Sequence, residues 1–140
     1  MRAAVDSSIV LDILLDDPEF ADASTRLLET YLMAGSVVIC PIVFCESAAA
    51  LLPPRRFLDI SKEMGLIYDA FDAEICTLGA QMWRDYRLQK GPRERVVADF
   101  LVGAHAQLHA EVLLTRDRGF YRSYFQGLQV VPPHLPGLLT

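Results

Sequence analysis

The sequence predicts an α/β fold in which a five-stranded parallel sheet lies between two layers of helices, a three-layer α/β/α sandwich. Short runs that are apolar throughout, such as Val37 to Ile39 and Val112 to Leu114, alternate with longer segments of helical periodicity. Strands that are apolar on both faces are typical of a parallel sheet covered on each side by helices. A length of 140 residues suits one domain, so we expect residues 1–140 to form a single domain.

The first two predicted helices follow a short buried strand. Residues 3–5 are apolar and end at a charge, which predicts the strand, and Ser7 or Ser8 can then cap a helix. That helix should end before Pro18, because the residue before a proline avoids helical geometry. Apolar residues at helical spacing over 20–32 predict the second helix.

The middle of the chain predicts two further strands and two helices. The apolar run at residues 37–40 predicts a second buried strand, and residues 66–68 predict a short third one. Between these strands, a helix over 43–52 is stopped by the proline pair at 53–54. Another helix over 55–64 ends at a glycine.

The last part of the chain completes the sheet. A long helix is predicted over 73–88, with Asp72 as its cap, and another over 97–109, whose apolar positions recur at helical spacing. Residues 112–115 predict a fourth strand and residues 129–131 a fifth. No element is assigned between these two strands.

The distribution of charge favours a nucleic-acid partner more than the net charge does. The formal net charge is −5, which by itself argues against binding to a phosphate backbone. However, eight of the 13 basic residues fall within residues 84–122, whereas residues 1–83 hold five. Because a nucleic acid meets local charge, the acidic total does not exclude one.

The composition indicates a cytoplasmic protein with no membrane association. The longest uncharged apolar run, residues 37–45, is shorter than the ~20 residues that a membrane helix needs. Asp6 and Asp12 argue against a signal peptide, and three cysteines without metal-type spacing are typical of a reducing compartment. An apolar content of 52% indicates a large core, a surface reserved for a partner or second copy, or both.

Four carboxylates differ from the other acids because they stand alone among apolar residues or directly after strands. Asp6 and Asp117 follow the first and fourth predicted strands, Glu46 lies in the helix after the second, and Asp99 opens the helix before the fourth. The carboxyl ends of parallel strands form one edge of a sheet, where ligands bind. We therefore expect the four side chains to converge at that edge.

Converging carboxylates repel one another and require a cation or bound protons. An all-oxygen ligand set favours Mg²⁺ or Mn²⁺ over zinc, and such a site can activate water for the hydrolysis of a phosphodiester. Spacing alone also allows another interpretation, in which the four acids are separate helix caps and ion-pair partners.

The order of these acids resembles the acidic set of PIN domains, most closely that of the VapC toxins of bacterial toxin–antitoxin pairs. Four motifs carry the resemblance: VDSSI at 5–9, PIVFCE at 41–46, DFLVGAHA at 99–106 and LTRDRGFY at 114–121. Each motif is weak alone. In this order, over roughly residues 3–131, they make the resemblance strong.

The resemblance implies a five-stranded parallel sheet, Mg²⁺- or Mn²⁺-dependent endonucleolytic cleavage of RNA, a homodimer, and inhibition by a cognate antitoxin protein. Asp6, Glu46 and Asp99 would be the primary metal ligands. Asp117 would be a peripheral or second-metal ligand.

Hydroxyl and imidazole side chains near the acids have two interpretations each. By the resemblance, Ser8 and Thr115 would support the acids through hydrogen bonds, but they could equally be a helix cap and a strand-end residue. His105 departs from the small residues expected in its helix and is interpreted as a hydrogen-bonded core or edge histidine rather than as a metal ligand. His109 and His134 are given no role.

Basic residues flank the last two acids. Arg93, Arg95, Arg116 and Arg118 could steer an RNA backbone towards them. Alternatively, Arg93 or Arg95 pairs with a carboxylate such as Asp99, which follows Arg95 by four residues, or the arginines contact a second copy or an antitoxin.

The main alternative function is a catalytically silent PIN-like module that binds RNA or protein without cutting. The presence of all four acids argues against it. A phosphoryl-accepting receiver domain is disfavoured because Asp6 has no acidic neighbour, and a haloacid-dehalogenase-type phosphatase because Asp6-Ser7-Ser8 is not Asp-x-Asp.

Overall fold

The computed structural model describes residues 1–89 and 95–135. Within them lie the strands β1 (Arg2–Val5), β2 (Ser36–Ile39), β3 (Leu66–Tyr68), β4 (Val112–Leu114) and β5 (Gln129–Val131). The helices are α1 (Ser7–Leu14), α2 (Ala21–Ala34), α3 (Pro41–Ala48), α4 (Phe57–Glu63), α5 (Ala73–Leu88), α6 (Val97–His109) and α7 (Arg118–Tyr124), and a 3₁₀ turn at Pro54–Arg56 precedes α4.

All pairings in the sheet are parallel, and the strand order is β3-β2-β1-β4-β5. The side chains of β2 from Val37 to Ile39 and of β4 from Val112 to Leu114 are essentially inaccessible to solvent. Burial of consecutive residues means that both faces of the sheet are covered, so the predicted α/β fold with a five-stranded parallel sheet is confirmed.

The chain changes direction across the sheet beside β1. After β1 it builds β2 and β3 on one side, and it then returns to place β4 and β5 on the other. A crevice forms outside the carboxyl ends of the strands where such a reversal occurs, which here is between β1 and β4.

An aromatic cluster joins α5, α6 and α7 next to that crevice. Phe100 lies at its centre, with ring centroids 5.2 Å from Phe120, 5.3 Å from Tyr86 and 5.8 Å from Tyr124. Tilted and edge-on ring contacts of this kind add to the stabilisation that burial alone provides. The cluster therefore holds the start of α6 and the whole of α7 in fixed positions.

The structure adds one helix to those predicted. Residues 118–124, to which the sequence analysis assigns no element, form α7, and the aromatic residues of this helix pack onto Phe100. A seven-residue helix is too short to show a clear period, and tertiary packing rather than propensity stabilises it.

Two helix starts also differ from the predictions. Asp6, not Ser7 or Ser8, caps α1, because its Oδ1 accepts a hydrogen bond of 2.8 Å from the Ser7 backbone N–H. Helix α3 begins at Pro41 and not at Val43, since proline is tolerated in the first turn, where an N–H has no partner in the helix. The predicted Asp72 cap of α5 is confirmed by its bond to the Ile75 backbone N–H.

None of the helices in the described part of the chain is long and apolar enough to span a lipid bilayer.

Two glycines offer a matched test of this packing. A methyl group added at Gly103 in α6 would lie 2.3 Å from the buried ring of Phe125, whereas one added at Gly119 in α7 meets nothing within 4 Å. We expect Gly103→Ala to lower the free energy of unfolding by about 1–3 kcal/mol, despite the better helix propensity of alanine. Gly119→Ala should leave it unchanged or slightly higher. Urea denaturation measures both, and a Gly103→Ala protein as stable as wild type would contradict the close contact between α6 and Phe125.

Candidate active site

The four predicted acids line one pocket at the carboxyl ends of β1 and β4. The pocket has a volume of about 230 Å³. Its lining residues are Asp6, Ser7, Ser8, Leu11, Ile42, Glu46, Ala98, Asp99, Val102, Asp117 and Tyr121. The structure thus brings together side chains that are up to 111 positions apart, from Asp6 to Asp117, as their places in the predicted topology require.

Asp6 is the most deeply placed of the four. It directly follows β1, and its backbone N–H donates to the Leu114 carbonyl at 2.9 Å, which extends the ladder between β1 and β4 by one residue. This register places Thr115 beside Asp6, and the Thr115 hydroxyl donates to Asp6 Oδ2 at 2.6 Å. Both carboxylate oxygens of Asp6 are therefore hydrogen-bonded, and only 8% of the residue is exposed.

Of the other three acids, Glu46 lies within a helix, and Asp99 and Asp117 lie at helix starts. Glu46 lies on α3 and is exposed. Asp99 lies in the first turn of α6, where its Oδ2 accepts a 3.0 Å hydrogen bond from the Val96 backbone N–H. Asp117 occupies the N-cap position of α7, just after β4. Helix starts carry partial positive charge, which partly offsets carboxylates placed there.

The two predicted supporting hydroxyls are both in this region, but they contact different atoms. Thr115 bonds directly to Asp6, whereas the Ser8 hydroxyl lies 3.5 Å from the Thr115 hydroxyl and accepts from the Arg116 backbone N–H at 3.2 Å. Thr115 also accepts from the Asp117 backbone N–H at 3.0 Å. Thr115 consequently couples two of the acids.

The surroundings of the pocket disfavour the ionised forms of Asp6 and Glu46. Burial raises the pKa of Asp6, the bonds from Thr115 and Ser7 lower it in part, and the charges of Asp117 and Asp99 raise it further. The pKa of Glu46 is also raised, by partial burial and by the charge of Asp6, against a hydrogen bond from Ser7. Carboxylates placed in this way favour the binding of protons or of a cation.

Two neighbouring groups respond to the same negative potential. Burial, together with the charges of Asp6 and Glu46, raises the pKa of the Cys40 thiol to about 11. Burial and the surrounding aspartates raise the pKa of Tyr121 well above its usual range, so this pocket wall is a neutral phenol. Tyr121 ends the LTRDRGFY motif, but its place in the pocket could not be predicted because it lies on α7, for which the sequence gives no helical pattern.

Arg95 places a positive charge beside two of the acids. Its guanidinium lies 2.7 Å from Asp117 Oδ2 and 3.9 Å from Asp99 Oδ1, and it stacks over the Phe120 ring at 4.3 Å. The alternative in which Arg95 pairs with a carboxylate therefore describes this structure, and Asp117 is the closer partner. Arg93 lies outside the described residues.

The two arginines that flank Asp117 are in different environments. Arg116 donates to Asp12 at 2.8 Å and lies over the Phe20 ring at 4.1 Å, while Asp12 also accepts from the Ser24 hydroxyl. Arg118 is exposed beside them. Sequence reasoning missed Asp12 as the partner of Arg116 because 104 residues separate the two.

His105 is buried and hydrogen-bonded, as its interpretation as a core histidine predicts, whereas no observation tests whether His109 has a function. His105 is 1% exposed and its ring lies 2.8 Å from Asp69. His109, which was given no role, contacts both Asp69 and Asp72. These aspartates lie in the connection between β3 and α5, which is 36 or more residues from the histidines, so no local pattern predicts the contact.

The residues of the pocket fit a hard divalent cation. Every charged donor that lines it is a carboxylate, and burial and mutual repulsion raise the pKa values of Asp6 and Glu46 in a way that a cation would reverse. Oxygen ligands of this kind select Mg²⁺ or Mn²⁺.

Comparisons with known proteins agree with this geometry. A family model described as the PIN domain matches residues 3–126. Among solved structures, VapBC2 from Rickettsia felis bound to a promoter DNA fragment has a TM-score of 0.74 at 18% identity, covering 96% of this chain and 100% of that chain. DNA-bound VapBC from Salmonella typhimurium gives 0.68 at 17% identity, covering 94% and 98%.

A third similar structure is VapC20 of Mycobacterium tuberculosis, described as a toxin that cleaves the sarcin–ricin loop. Its TM-score is 0.61 at 15% identity, and the match covers 91% of this chain and 98% of that chain. At these identities the structures establish a shared fold. No curated protein sequence matches the chain significantly.

The raised pKa of Asp6 predicts how Asp6→Asn changes stability in the absence of metal. Because the folded chain binds the Asp6 proton more tightly than the unfolded chain, the folded state loses stability as pH rises from 3.8 to the raised pKa. Asparagine does not ionise, so the Asp6→Asn protein does not lose stability in this way as pH rises. We therefore expect the free energy of unfolding of Asp6→Asn, relative to wild type in EDTA, to rise with pH by up to about 1.4 kcal/mol per pH unit. Loss of one of the two hydrogen bonds of Asp6 adds an offset that does not depend on pH.

Urea denaturation between about pH 4.5 and about pH 8 measures this difference. The same substitution at Asp59, an exposed residue of α4 outside the pocket, controls for the general effect of replacing a carboxylate. A stability difference for Asp6→Asn that stays constant or shrinks with rising pH would contradict the buried-charge argument.

Proposed function

The chain belongs to the PIN-domain family, whose model matches residues 3–126, and on that basis we propose that it is a divalent-metal-dependent endoribonuclease, the toxin of a type II toxin–antitoxin pair. The observation that carries the proposal is the convergence of Asp6, Glu46, Asp99 and Asp117 in one pocket. Four acids from four separate parts of the chain need a common reason to meet where burial opposes their charge.

Asp6, Glu46 and Asp99 would hold Mg²⁺ or Mn²⁺, with Asp117 at the periphery or at a second ion. When bound, the ion would supply an activated water and neutralise charge that develops on the scissile phosphate. Thr115 and the Ser7 backbone N–H orient the two oxygens of Asp6, so this ligand is positioned before the ion arrives. Tyr121, a neutral phenol, forms one wall and adds no negative charge that would repel a phosphate.

The RNA backbone would approach along the arginines beside the pocket. Arg118 is exposed, and Arg116 and Arg118 both line a groove of about 360 Å³ with Phe20 and the prolines that follow β5. Exposed arginines beside an acidic pocket offset its repulsion of phosphates. Arg95 could release Asp117 to a metal ion and bind a phosphate oxygen in its place.

An antitoxin partner and a homodimer are parts of the same proposal. The similar structures from Rickettsia felis and Salmonella typhimurium are of VapBC, the first together with DNA from their promoter. Exposed apolar side chains on this chain, among them Met33, Leu52 and Leu88, offer surface that a second copy or an antitoxin helix could cover. A cytoplasmic location and a single domain over residues 1–140 complete the proposal.

One observation favours the second candidate, a catalytically silent module. Arg95 already neutralises part of the acidic pocket, which an enzyme that recruits a metal ion does not require. A module that has exchanged metal binding for an internal ion pair would retain the fold and bind RNA or protein without cutting it.

Cleavage of a structured RNA distinguishes the two candidates. We expect the purified protein to cut it with Mn²⁺ or Mg²⁺, and EDTA or Asp6→Asn to abolish cutting, because Asp6 is the ligand most deeply set in the pocket. Asp59→Asn, an exposed aspartate on α4, is the matched control and should cut normally. Cleavage that persists in EDTA and in Asp6→Asn would belong to a contaminant, and RNA binding without cleavage would favour the silent module.

Metal binding can be tested separately from catalysis. Millimolar Mg²⁺ or Mn²⁺ should raise the melting temperature of the wild type, because a ligand of the folded state alone stabilises it by mass action. Asp99→Asn should reduce the rise, and Asp59→Asn should not. A melting temperature of the wild type that neither ion changes would remove the main support for the proposed metal site.

A further inference from the structure

Two histidines of α6 and two aspartates of the connection between β3 and α5 form a cluster outside the acidic pocket. Nε2 of His105 and Nδ1 of His109 lie 2.8 Å and 2.7 Å from the same oxygen, Oδ2 of Asp69. Nε2 of His109 lies 2.8 Å from Oδ2 of Asp72. None of these four residues lines the pocket of the four acids.

The cluster has the arrangement of a three-ligand metal site. One donor atom from each of Asp69, His105 and His109 lies within 4.8 Å of the other two. His105 and His109 are four residues apart on one helix, a spacing that places two imidazoles on the same face, as in helical zinc sites.

We propose that Asp69, His105 and His109 bind a zinc-type divalent ion. Two imidazole nitrogens and one carboxylate oxygen suit Zn²⁺, and less so Mg²⁺, which prefers oxygen ligands. Three protein ligands leave a fourth position for water. The inference does not rest on the proposed ribonuclease activity.

Asp72 has the role of an outer partner. A histidine that binds a metal through one ring nitrogen usually donates its other N–H to a carboxylate, which fixes the tautomer and the ring orientation. With Nδ1 of His109 on the ion, Nε2 would donate to Asp72, in the contact that already exists at 2.8 Å. Asp72 is itself fixed as the cap of α5 by the Ile75 backbone N–H.

In this structure the two aspartates are bridged by N–H groups of the histidines, and Asp69 is also paired with Arg2. Both ring nitrogens of His109 face carboxylates, and the Arg2 guanidinium lies 3.2 Å from Asp69. Entry of the ion would release the proton on Nδ1 of His109, and the proton of His105 would move from Nε2 to Nδ1, which leaves Nε2 free to bind. It would also displace Arg2, whose side chain is 44% exposed and can turn towards solvent.

The geometry requires a small rearrangement. Donors at about 2.0–2.2 Å from a tetrahedral ion are roughly 3.4 Å apart, so the contacts of 2.7 Å and 2.8 Å would have to lengthen by about 0.6–0.7 Å. The backbone N–H of Asp69 donates to the Ile39 carbonyl at 2.9 Å and stays with the sheet, but its partly exposed side chain can turn this far.

The bound ion would clamp α6 to the connection between β3 and α5. His105 is six residues along α6 from Asp99, roughly 9 Å along the helix axis. The clamp would therefore hold the helix that presents one of the four acids, through an ion of a different type.

Isothermal titration of Zn²⁺ into the Asp99→Asn protein tests the site, because this background weakens binding in the acidic pocket. We expect one strongly bound Zn²⁺ per chain. Adding His109→Gln or Asp69→Asn should weaken its binding at least about tenfold. His134→Gln, the exposed histidine after β5, is the matched control and should leave it unchanged. His109 is the better position to vary, because its side chain is 26% exposed and that of His105 is buried.

Three results would overturn the proposal. These are the absence of strong Zn²⁺ binding to the Asp99→Asn protein, binding that His109→Gln leaves unchanged, and equal weakening by His134→Gln. Zn²⁺ should also raise the melting temperature of Asp99→Asn and much less that of Asp99→Asn with His109→Gln. Failure of these experiments would leave the acidic pocket and its proposed nuclease activity untouched.

Discussion

Electrostatic repulsion among carboxylates at the end of the central strands is the constraint around which this structure is arranged. Asp6 is nearly buried and faces Asp99, Asp117 and Glu46 across a small pocket. A buried charge is costly unless it is bonded or paired. Hydrogen bonds from Thr115 and Ser7 stabilise Asp6, and the guanidinium of Arg95 neutralises part of the charge of Asp117. The negative charge that remains is what a divalent ion, if bound, would neutralise.

The fold provides the proximity that this arrangement needs. Because β1 and β4 are hydrogen-bonded neighbours, residues that directly follow them stand side by side, although they are more than 100 positions apart in sequence. Helix α6 runs from the pocket, where Asp99 lies, back along the molecule to His109 near the start of β4. One helix therefore contributes to two clusters, with a carboxylate at its first turn and imidazoles towards its last.

Features that depend on local pattern could be predicted from the sequence, and features that depend on distant pairing could not. The five strands are evident as apolar runs, and the four acids as lone charges after or between them, because burial constrains residue type at each position. The contacts of Arg116 with Asp12 and of His109 with Asp69 and Asp72 join segments whose relative placement only the folded chain defines. Helix α7 was missed because its stability comes from the packing of Phe120 and Tyr124 onto Phe100.

The contact between Arg95 and Asp117 has a consequence for how the pocket responds to its surroundings. Because the guanidinium is covalently attached to the chain, its effective concentration at the carboxylate is the same in every solution, whereas the occupancy of a dissolved ion follows its concentration. An ion that takes Asp117 as a ligand has to compete with this tethered counter-charge, so half-saturation shifts to higher ion concentration than the same acids would show alone. If the pocket binds an ion as proposed, the arginine would set the concentration of free cation at which binding replaces the internal ion pair.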